Sequence, residues 1–112
     1  MCLFCKIIKK KIPATLAYED NDVLAFHDIN PQAPKHILVI PKKHIESLNT
    51  LAPEDSAVVA KIYQVIPQIA RKEGIAESGY RVVVNTNRDA GQAVPHLHFH
   101  ILGGRSMNWP PG

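Results

Sequence analysis

The sequence has few of the features that mark secreted or membrane proteins. Only two of its 112 residues are cysteine, too few for the disulfide framework of a small secreted domain. No apolar run approaches the roughly 20 residues of a membrane span, and the N-terminus lacks the apolar core of a signal peptide. We therefore expect a cytoplasmic protein with no membrane partner.

Strong charge imbalance is also missing. The formal net charge is +3, and the densest basic run, Lys6 to Lys11, contains no interleaved aromatic residue. Such a run is typical of a solvated surface, so we expect no nucleic-acid partner. A hydrophobic content of 46% in 112 residues is ordinary for a globular chain. Residues 1–112 are therefore predicted to form a single domain.

Hydrophobic periodicity predicts an α+β fold. A stripe of Val and Ile at helical spacing follows Pro53, and Gly74 marks the end of this one long helix. A short helical turn packed by Phe4 and Ile8 is expected at the N-terminus. Period-2 or β-branched runs predict five strands in the order β-β-β-α-β-β, which favours an antiparallel sheet. They cover Leu16 to Glu19, Val23 to His27, His36 to Ile40, Tyr80 to Asn85 and His96 to Leu102.

Three of the six histidines alternate with apolar residues in the last of these runs. His96, His98 and His100 are therefore predicted to project from one face of a strand while Leu97 and Phe99 face the core. Imidazoles in a row suit either metal binding or nucleophilic and acid-base chemistry. The remaining alternative is a solvated face that happens to carry histidines. Strict alternation of three favours a chemical role.

The segments around the histidines contain further polar candidates. Gly91 and Gln92 precede the row, and a glycine lets backbone N–H groups approach anionic oxygens such as those of a phosphate. Asp28 followed by Ile29 pairs an acceptor for sugar hydroxyls with an apolar surface for a base. Cys2 and Cys5 are too close together for a disulfide between them to stabilise a domain. The two alternatives are that they bind a metal or that the pair has no role.

These residues resemble the histidine triad family, in its nucleotide-binding branch. The segment from His96 to Leu102 is similar to the motif for which the family is named, and the similarity extends over nearly the whole chain. The segments from Phe26 to Pro34 and from His36 to His44 look like that branch. Gly91-Gln92 and Gly103-Gly104-Arg105 do so too. The tail from Trp109 to Gly112 looks like that of the purine nucleoside phosphoramidases within it.

The resemblance implies a fold, a reaction and an assembly. The fold would be a five-stranded antiparallel sheet with one long helix and a short N-terminal helix, continued into ten strands across a homodimer. The reaction would be hydrolysis of adenosine or guanosine phosphoramidates and aminoacyl adenylates, with a nucleoside monophosphate as product. The partner would be a purine nucleotide or nucleoside phosphoramidate. No cofactor is expected for catalysis.

The resemblance also implies roles for individual residues. His98 would attack the α-phosphorus, His100 would contact phosphate, His96 would orient His98, and His36 would lie behind the row. The nucleotide would contact residues from two segments: Phe26, His27, Asp28 and Ile29 from the first, and Asn85, Gly91, Gln92 and Ala93 from the second. Of these, Asp28 would hold the ribose hydroxyls and Ile29 would line the base pocket.

Two features qualify the resemblance. Many relatives carry serine where this chain has Ala93, so the side-chain donor to a phosphate oxygen or leaving group is absent and reduced activity is expected. Asn108 stands where close relatives often have histidine.

Some bacterial members bind structural zinc through residues that match Cys2, Cys5, His44 and His96. Two alternatives remain here, a bound zinc or an N-terminus that frays before it can hold one.

Alternative functions also remain open. A dinucleoside polyphosphate hydrolase belongs to the same superfamily, although the C-terminal tail argues against it. A nucleotide-binding or scaffolding module with little catalysis is the alternative from another class, and Ala93 gives it some support.

Overall fold

The computed structural model describes residues 1–112, which form five strands and three α-helices. The helices are α1 (Leu3–Ile8), α2 (Ser56–Lys72) and α3 (Asn87–Ala90). The strands are β1 (Leu16–Glu19), β2 (Val23–His27), β3 (Lys35–Pro41), β4 (Tyr80–Val84) and β5 (Phe99–Gly103). Two 3-10 turns, Leu48–Thr50 and Pro53–Asp55, precede α2. No helix is both long and apolar enough to span a membrane.

The five strands form one antiparallel sheet in the order β1-β2-β3-β5-β4. The predicted α+β fold is therefore confirmed, with the nearly continuous apolar strand β3 at its centre, as expected of a strand that is buried on both faces. Strands β1 and β2 are joined by a turn in which Asp20 accepts hydrogen bonds from the backbone N–H groups of Asp22 and Val23.

Both faces of the sheet are covered. Helix α2 buries Ile62, Val65, Ile66 and Ile69 against one face, where they join Val39, Phe99 and Ile101 in the larger core cluster. Helix α1 covers part of the opposite face, where Phe4 and Ile7 pack against Leu38 and Ile40. The side chains of β3 and β5 alternate between these two faces, so His36 and His100 lie on the α1 side.

Three predictions about local structure were wrong. The predicted strand from His96 to Leu102 is shorter, because the ladder begins at Phe99. Upstream, the N–H of Leu97 donates to the carbonyl of Ile45 (2.6 Å), which draws the backbone out of the sheet. The connection from Thr86 to Pro95, expected to be a loop between the last two strands, contains α3. Pro53, expected in the first turn of the long helix, lies instead in a 3-10 turn, Pro53–Asp55, that runs directly into α2 at Ser56.

Candidate functional site

Strand register brings His36 and His100 together. His36 of β3 is paired with Leu102 of β5, and Leu38 is paired with His100, so the two histidines are diagonal neighbours on one face. Their rings lie 5.2 Å apart between centroids, and the ring of His98 lies 5.0 Å from that of His100. The sequence-predicted row is therefore assembled, with His36 beside it.

A backbone donor fixes the proton positions on His36 and His100. The N–H of Gln32 donates to Nδ1 of His36 (3.0 Å), so in the neutral ring the proton lies on Nε2. That Nε2–H faces Nδ1 of His100 at 2.9 Å, which must then accept. The proton of neutral His100 is thereby placed on Nε2, a buried atom with no hydrogen-bond partner in the protein. The site thus presents an unpaired N–H donor.

A different backbone group fixes the ring of His98. Its Nδ1 lies 2.7 Å from the carbonyl oxygen of His96, which can only accept, so Nδ1 carries the proton. In the neutral ring Nε2 is then an unprotonated lone pair. Adjacent histidines of the row therefore offer opposite groups, a lone pair on His98 and a donor on His100.

Burial keeps the supporting histidines neutral. It lowers the pKa of His100 to about 4, and the neighbouring His98 and His36 act in the same direction. Burial also lowers the pKa of His36, against an opposing effect of the Asp28 carboxylate, whose oxygen lies 3.5 Å from Nε2. The alternative of a solvated face that happens to carry histidines is excluded, because His36, His96 and His98 are all buried. Only neutral rings have the proton arrangement described above.

His98 and His100 line a cleft of about 280 Å³. Seven sequence-predicted residues contribute to it: Phe26, His27, Asp28, Ile29, Ala93, His98 and His100. The side chain of Ile29 is 99% exposed at its rim, an apolar surface without a protein partner. Apolar walls with a few convergent polar groups are typical of small-molecule sites.

Three predicted contact residues do not line this cleft. Gly91 and Gln92 lie in a neighbouring surface depression, which shares only Ala93 with the cleft, and Asn85 belongs to neither. The amide of Gln92 is already engaged, because its Nε2 donates to the carbonyls of Glu46 and Val94 while its Oε1 accepts from the N–H of Asn87. Gln92 therefore holds this loop in shape.

One wall of the cleft was missed by sequence reasoning. Helix α1 contributes Leu3, Phe4 and Ile7, and the following segment contributes Ile12, Pro13 and Ala14. The signal was present in the cysteine pair. If Cys2 and Cys5 meet His96, the helix that Cys2 caps and that contains Cys5 must lie over the histidine face.

The structure brings the four candidate metal ligands together. The Sγ atoms of Cys2 and Cys5 lie 3.3 to 3.6 Å from the Nδ1 atoms of His44 and His96, and the two Nδ1 atoms are 3.2 Å apart. A tetrahedral zinc with ordinary bond lengths separates S from N by about 3.6 Å and N from N by about 3.3 Å. The four ligand atoms therefore fit a zinc ion.

The ring of His96 is oriented for that role. Its Nε2 lies 2.9 Å from the carbonyl oxygen of Pro41, so Nε2 donates and Nδ1 is left unprotonated toward the cluster. A hydrogen bond from the far ring nitrogen to a carbonyl is the usual outer partner of a metal-bound histidine. Burial lowers the pKa of His96, which also favours the neutral ring that binds metal.

Comparison with known proteins identifies a family match and close relatives. The family model described as the HIT domain matches residues 9–107. The purine nucleoside phosphoramidase of Escherichia coli K12 is 48% identical over 105 residues, covering 94% of this chain and 88% of that protein. The 14 kDa zinc-binding protein of Zea mays is 51% identical over 113 residues, covering 98% and 87%.

Solved structures agree with this match. The crystal structure of a HIT family hydrolase from Legionella pneumophila Philadelphia 1 superposes with a TM-score of 0.97 at 53% identity, covering 100% of both chains. The similarity therefore includes the N-terminal helix and the C-terminal tail as well as the sheet.

Proposed function

The chain belongs to the HIT domain family, and we propose that it hydrolyses the phosphorus–nitrogen bond of purine nucleoside 5′-phosphoramidates. Aminoacyl adenylates, which carry an acyl group on the same phosphate, are proposed as a second substrate class. The E. coli relative named a purine nucleoside phosphoramidase supports this choice, as do the structural relatives that are HIT family hydrolases.

One observation carries the proposal: His98 and His100 line one cleft, and in their neutral rings Nε2 of His98 has a free lone pair while Nε2 of His100 carries a proton without a partner in the protein. A nucleophile attacking phosphorus needs a free lone pair, and the phosphate oxygens that gain charge need a donor. An unpaired buried N–H costs about 1–3 kcal/mol, a cost that a bound phosphate oxygen removes. The pair thus suits phosphoryl chemistry better than metal binding.

The mechanism follows from these groups. Nε2 of His98 attacks the α-phosphorus, the bond to nitrogen breaks, and the departing amine takes a proton from solvent because Ala93 has no side-chain donor. His100 donates to a phosphate oxygen throughout. Water then cleaves the nucleotidyl-histidine, regenerating neutral His98 and releasing the nucleoside monophosphate. His36 holds the proton of His100 on Nε2, and His96 holds that of His98 on Nδ1.

Nucleoside recognition is assigned to the other end of the cleft. We propose that the Asp28 carboxylate accepts from the ribose hydroxyls, since Oδ1 is held in place by the N–H of Asn30 (2.9 Å) and both oxygens retain acceptor capacity. Ile29 then covers one face of the purine with its otherwise exposed side chain. Phe26 and His27 complete the wall.

We assign a structural zinc to Cys2, Cys5, His44 and His96. The relative named a zinc-binding protein and the ligand distances support it. Zinc bound by four protein ligands supplies folding energy and has no open position for substrate. Catalysis itself uses only side chains.

We propose a homodimer because the resemblance to the histidine triad family implies a sheet that continues into ten strands across two copies. Strand β4 pairs only with β5, so its other edge has free backbone donors and acceptors. Pairing with β4 of a second copy would give ten continuous strands. Sizing chromatography with light scattering should give twice the chain mass of 12.4 kDa, and a monomeric mass would contradict the dimer.

The activity is tested by turnover of an adenosine 5′-phosphoramidate with wild type and His98→Ala. Adenosine monophosphate should be released by wild type only. Nucleotide binding without wild-type turnover would instead favour a binding module, the second candidate that the absent serine at position 93 supports. Faster hydrolysis of a dinucleoside polyphosphate than of the phosphoramidate would favour the related polyphosphate hydrolase.

A further inference from the structure

Helix α1 lies between the candidate zinc cluster and the cleft. Cys2 caps its N-terminus, where its Sγ accepts from the N–H of Cys5 at 3.3 Å, and both sulfurs belong to the cluster. The same helix contributes Leu3, Phe4 and Ile7 to the cleft wall. One element of six residues therefore belongs to both sites.

So short a helix does not hold itself in place. Isolated helices shorter than about 12 residues are marginal in water, so the position of α1 depends on what fixes it from outside. Two attachments are available. One is the burial of Phe4 and Ile7 against the sheet, and the other is the pair of cysteines at the cluster.

Phe4 connects the two sites directly. Its side chain is 4% exposed, and its ring makes edge contacts with His98 (5.1 Å between centroids, 85° between planes) and His96 (5.9 Å, 69°). Phe26 supports it from behind at 5.3 Å. Edge-to-face contacts in this distance range favour one relative orientation of the rings. The ring of His98 is therefore held by its bond to the His96 carbonyl and by the edge contact with Phe4.

We propose that α1 is a metal-anchored wall of the cleft, and that its residue Phe4 is a positioning residue that sets the orientation of His98. Metal at the cluster then controls His98 by two routes. One passes through the cysteines and Phe4. The other passes through His96, whose Nδ1 lies 3.3 Å from Sγ of Cys2 in the cluster and whose carbonyl accepts from His98. This inference rests on the proposed role of His98, although binding and spectra test it independently of turnover.

The decisive variant is Phe4→Leu in zinc-loaded protein, because leucine keeps the apolar wall and the cluster but removes the ring edge. The matched control is Ile8→Ala. Ile8 lies on the same helix and packs against the same core, but it does not line the cleft. Both variants lose packing, and only Phe4→Leu changes the surroundings of His98.

Three readouts separate positioning from stability: kcat and KM for an adenosine 5′-phosphoramidate, calorimetric affinity for adenosine monophosphate, and the ¹⁵N spectrum of the His98 ring. Phe4→Leu should lower kcat about ten-fold or more, as expected for a misplaced nucleophile, while KM changes less than about three-fold. It should also reduce the Nδ1–H tautomer signal of His98. Ile8→Ala should lower the melting temperature and leave kcat and that signal unchanged.

Zinc removal by a chelator gives the second test. The affinity of wild type for adenosine monophosphate should fall, because the cleft wall formed by α1 loses its anchor, and the His98 signal should shift as in Phe4→Leu. The proposal is overturned if Phe4→Leu and Ile8→Ala affect kcat and the His98 signal equally. It is also overturned if chelation changes neither the affinity nor that signal. If zinc-loaded wild type binds adenosine monophosphate but hydrolyses no phosphoramidate, the proposed activity fails, and the spectra still decide the role of Phe4.

Discussion

Replacing His36 with leucine tests whether a residue behind the row sets the proton on His100. Leucine is apolar and of similar size, so the buried position stays filled. Nδ1 of His100 then loses the donor that faces it at 2.9 Å, and the proton of His100 is no longer fixed on Nε2. A hydrogen bond to a charged acceptor contributes about 1.5–3 kcal/mol. Its loss in the transition state should lower kcat/KM roughly ten-fold to a hundred-fold.

The same change should cost stability for a separate reason. Nδ1 of His100 loses its partner inside the site, where an unpaired buried group costs about 1–3 kcal/mol, and the N–H of the exposed Gln32 loses its acceptor as well. Chemical denaturation measures this loss. The control Ile40→Val shortens a fully buried side chain of the same strand that does not line the cleft. It should cost about 0.5–1.5 kcal/mol in stability without changing the rate.

A double variant shows whether His36 acts through His100. If it does, His36→Leu combined with His100→Ala should hydrolyse the phosphoramidate no more slowly than His100→Ala alone, because the shared interaction is already gone. Full additivity of the two rate losses would refute the proton arrangement. A folded His36→Leu protein with wild-type kcat/KM would refute it as well.

Three further predictions follow from the same structure. The unfolded chain protonates His100 near pH 6.5 and the folded chain only near pH 4, so the free energy of unfolding should fall as the pH drops between these values. His100→Gln should weaken that dependence, and an unchanged slope would count against the depressed pKa. Ala93→Ser should raise kcat, because the serine hydroxyl can donate to the reacting phosphate and lower the activation free energy by up to about 1–3 kcal/mol. Ala14→Ser, at another part of the cleft wall, should leave kcat unchanged. No gain at position 93 would remove the argument from the absent serine. Elemental analysis of protein purified without added metal should find one zinc per chain, and Cys5→Ser should contain less and melt at a lower temperature; metal-free wild type would contradict the site.

Much of the fold could be predicted because local and global signals agree. The nearly continuous apolar runs of β2 and β3, the Asp20 turn and the helical stripe of α2 each point to one structure, so the order of elements follows from the chain. The strand from His96 was predicted too long because alternation continues where pairing stops. The bond from Leu97 to the Ile45 carbonyl, which decides this, joins segments far apart in sequence.

The sequence predicted which residues belong to the candidate site better than it predicted how they are arranged in space. Family resemblance identified His36, Asp28 and the metal ligands, and the structure brings them together. The family resemblance could not show that the amide of Gln92 is engaged within its loop, because that depends on Glu46 and Val94. Nor could periodicity place α1 over the histidines, since a six-residue helix carries too little pattern to indicate which face it covers.

Trapping the covalent intermediate tests the central claim most directly. Wild-type protein mixed with an adenosine 5′-phosphoramidate and quenched within one turnover should carry a single adenylyl group, and fragmentation in the mass spectrometer should locate it on His98. His98→Ala should carry none and release no adenosine monophosphate. An adduct on another residue, or full turnover by His98→Ala, would contradict the assignment of His98 as the nucleophile.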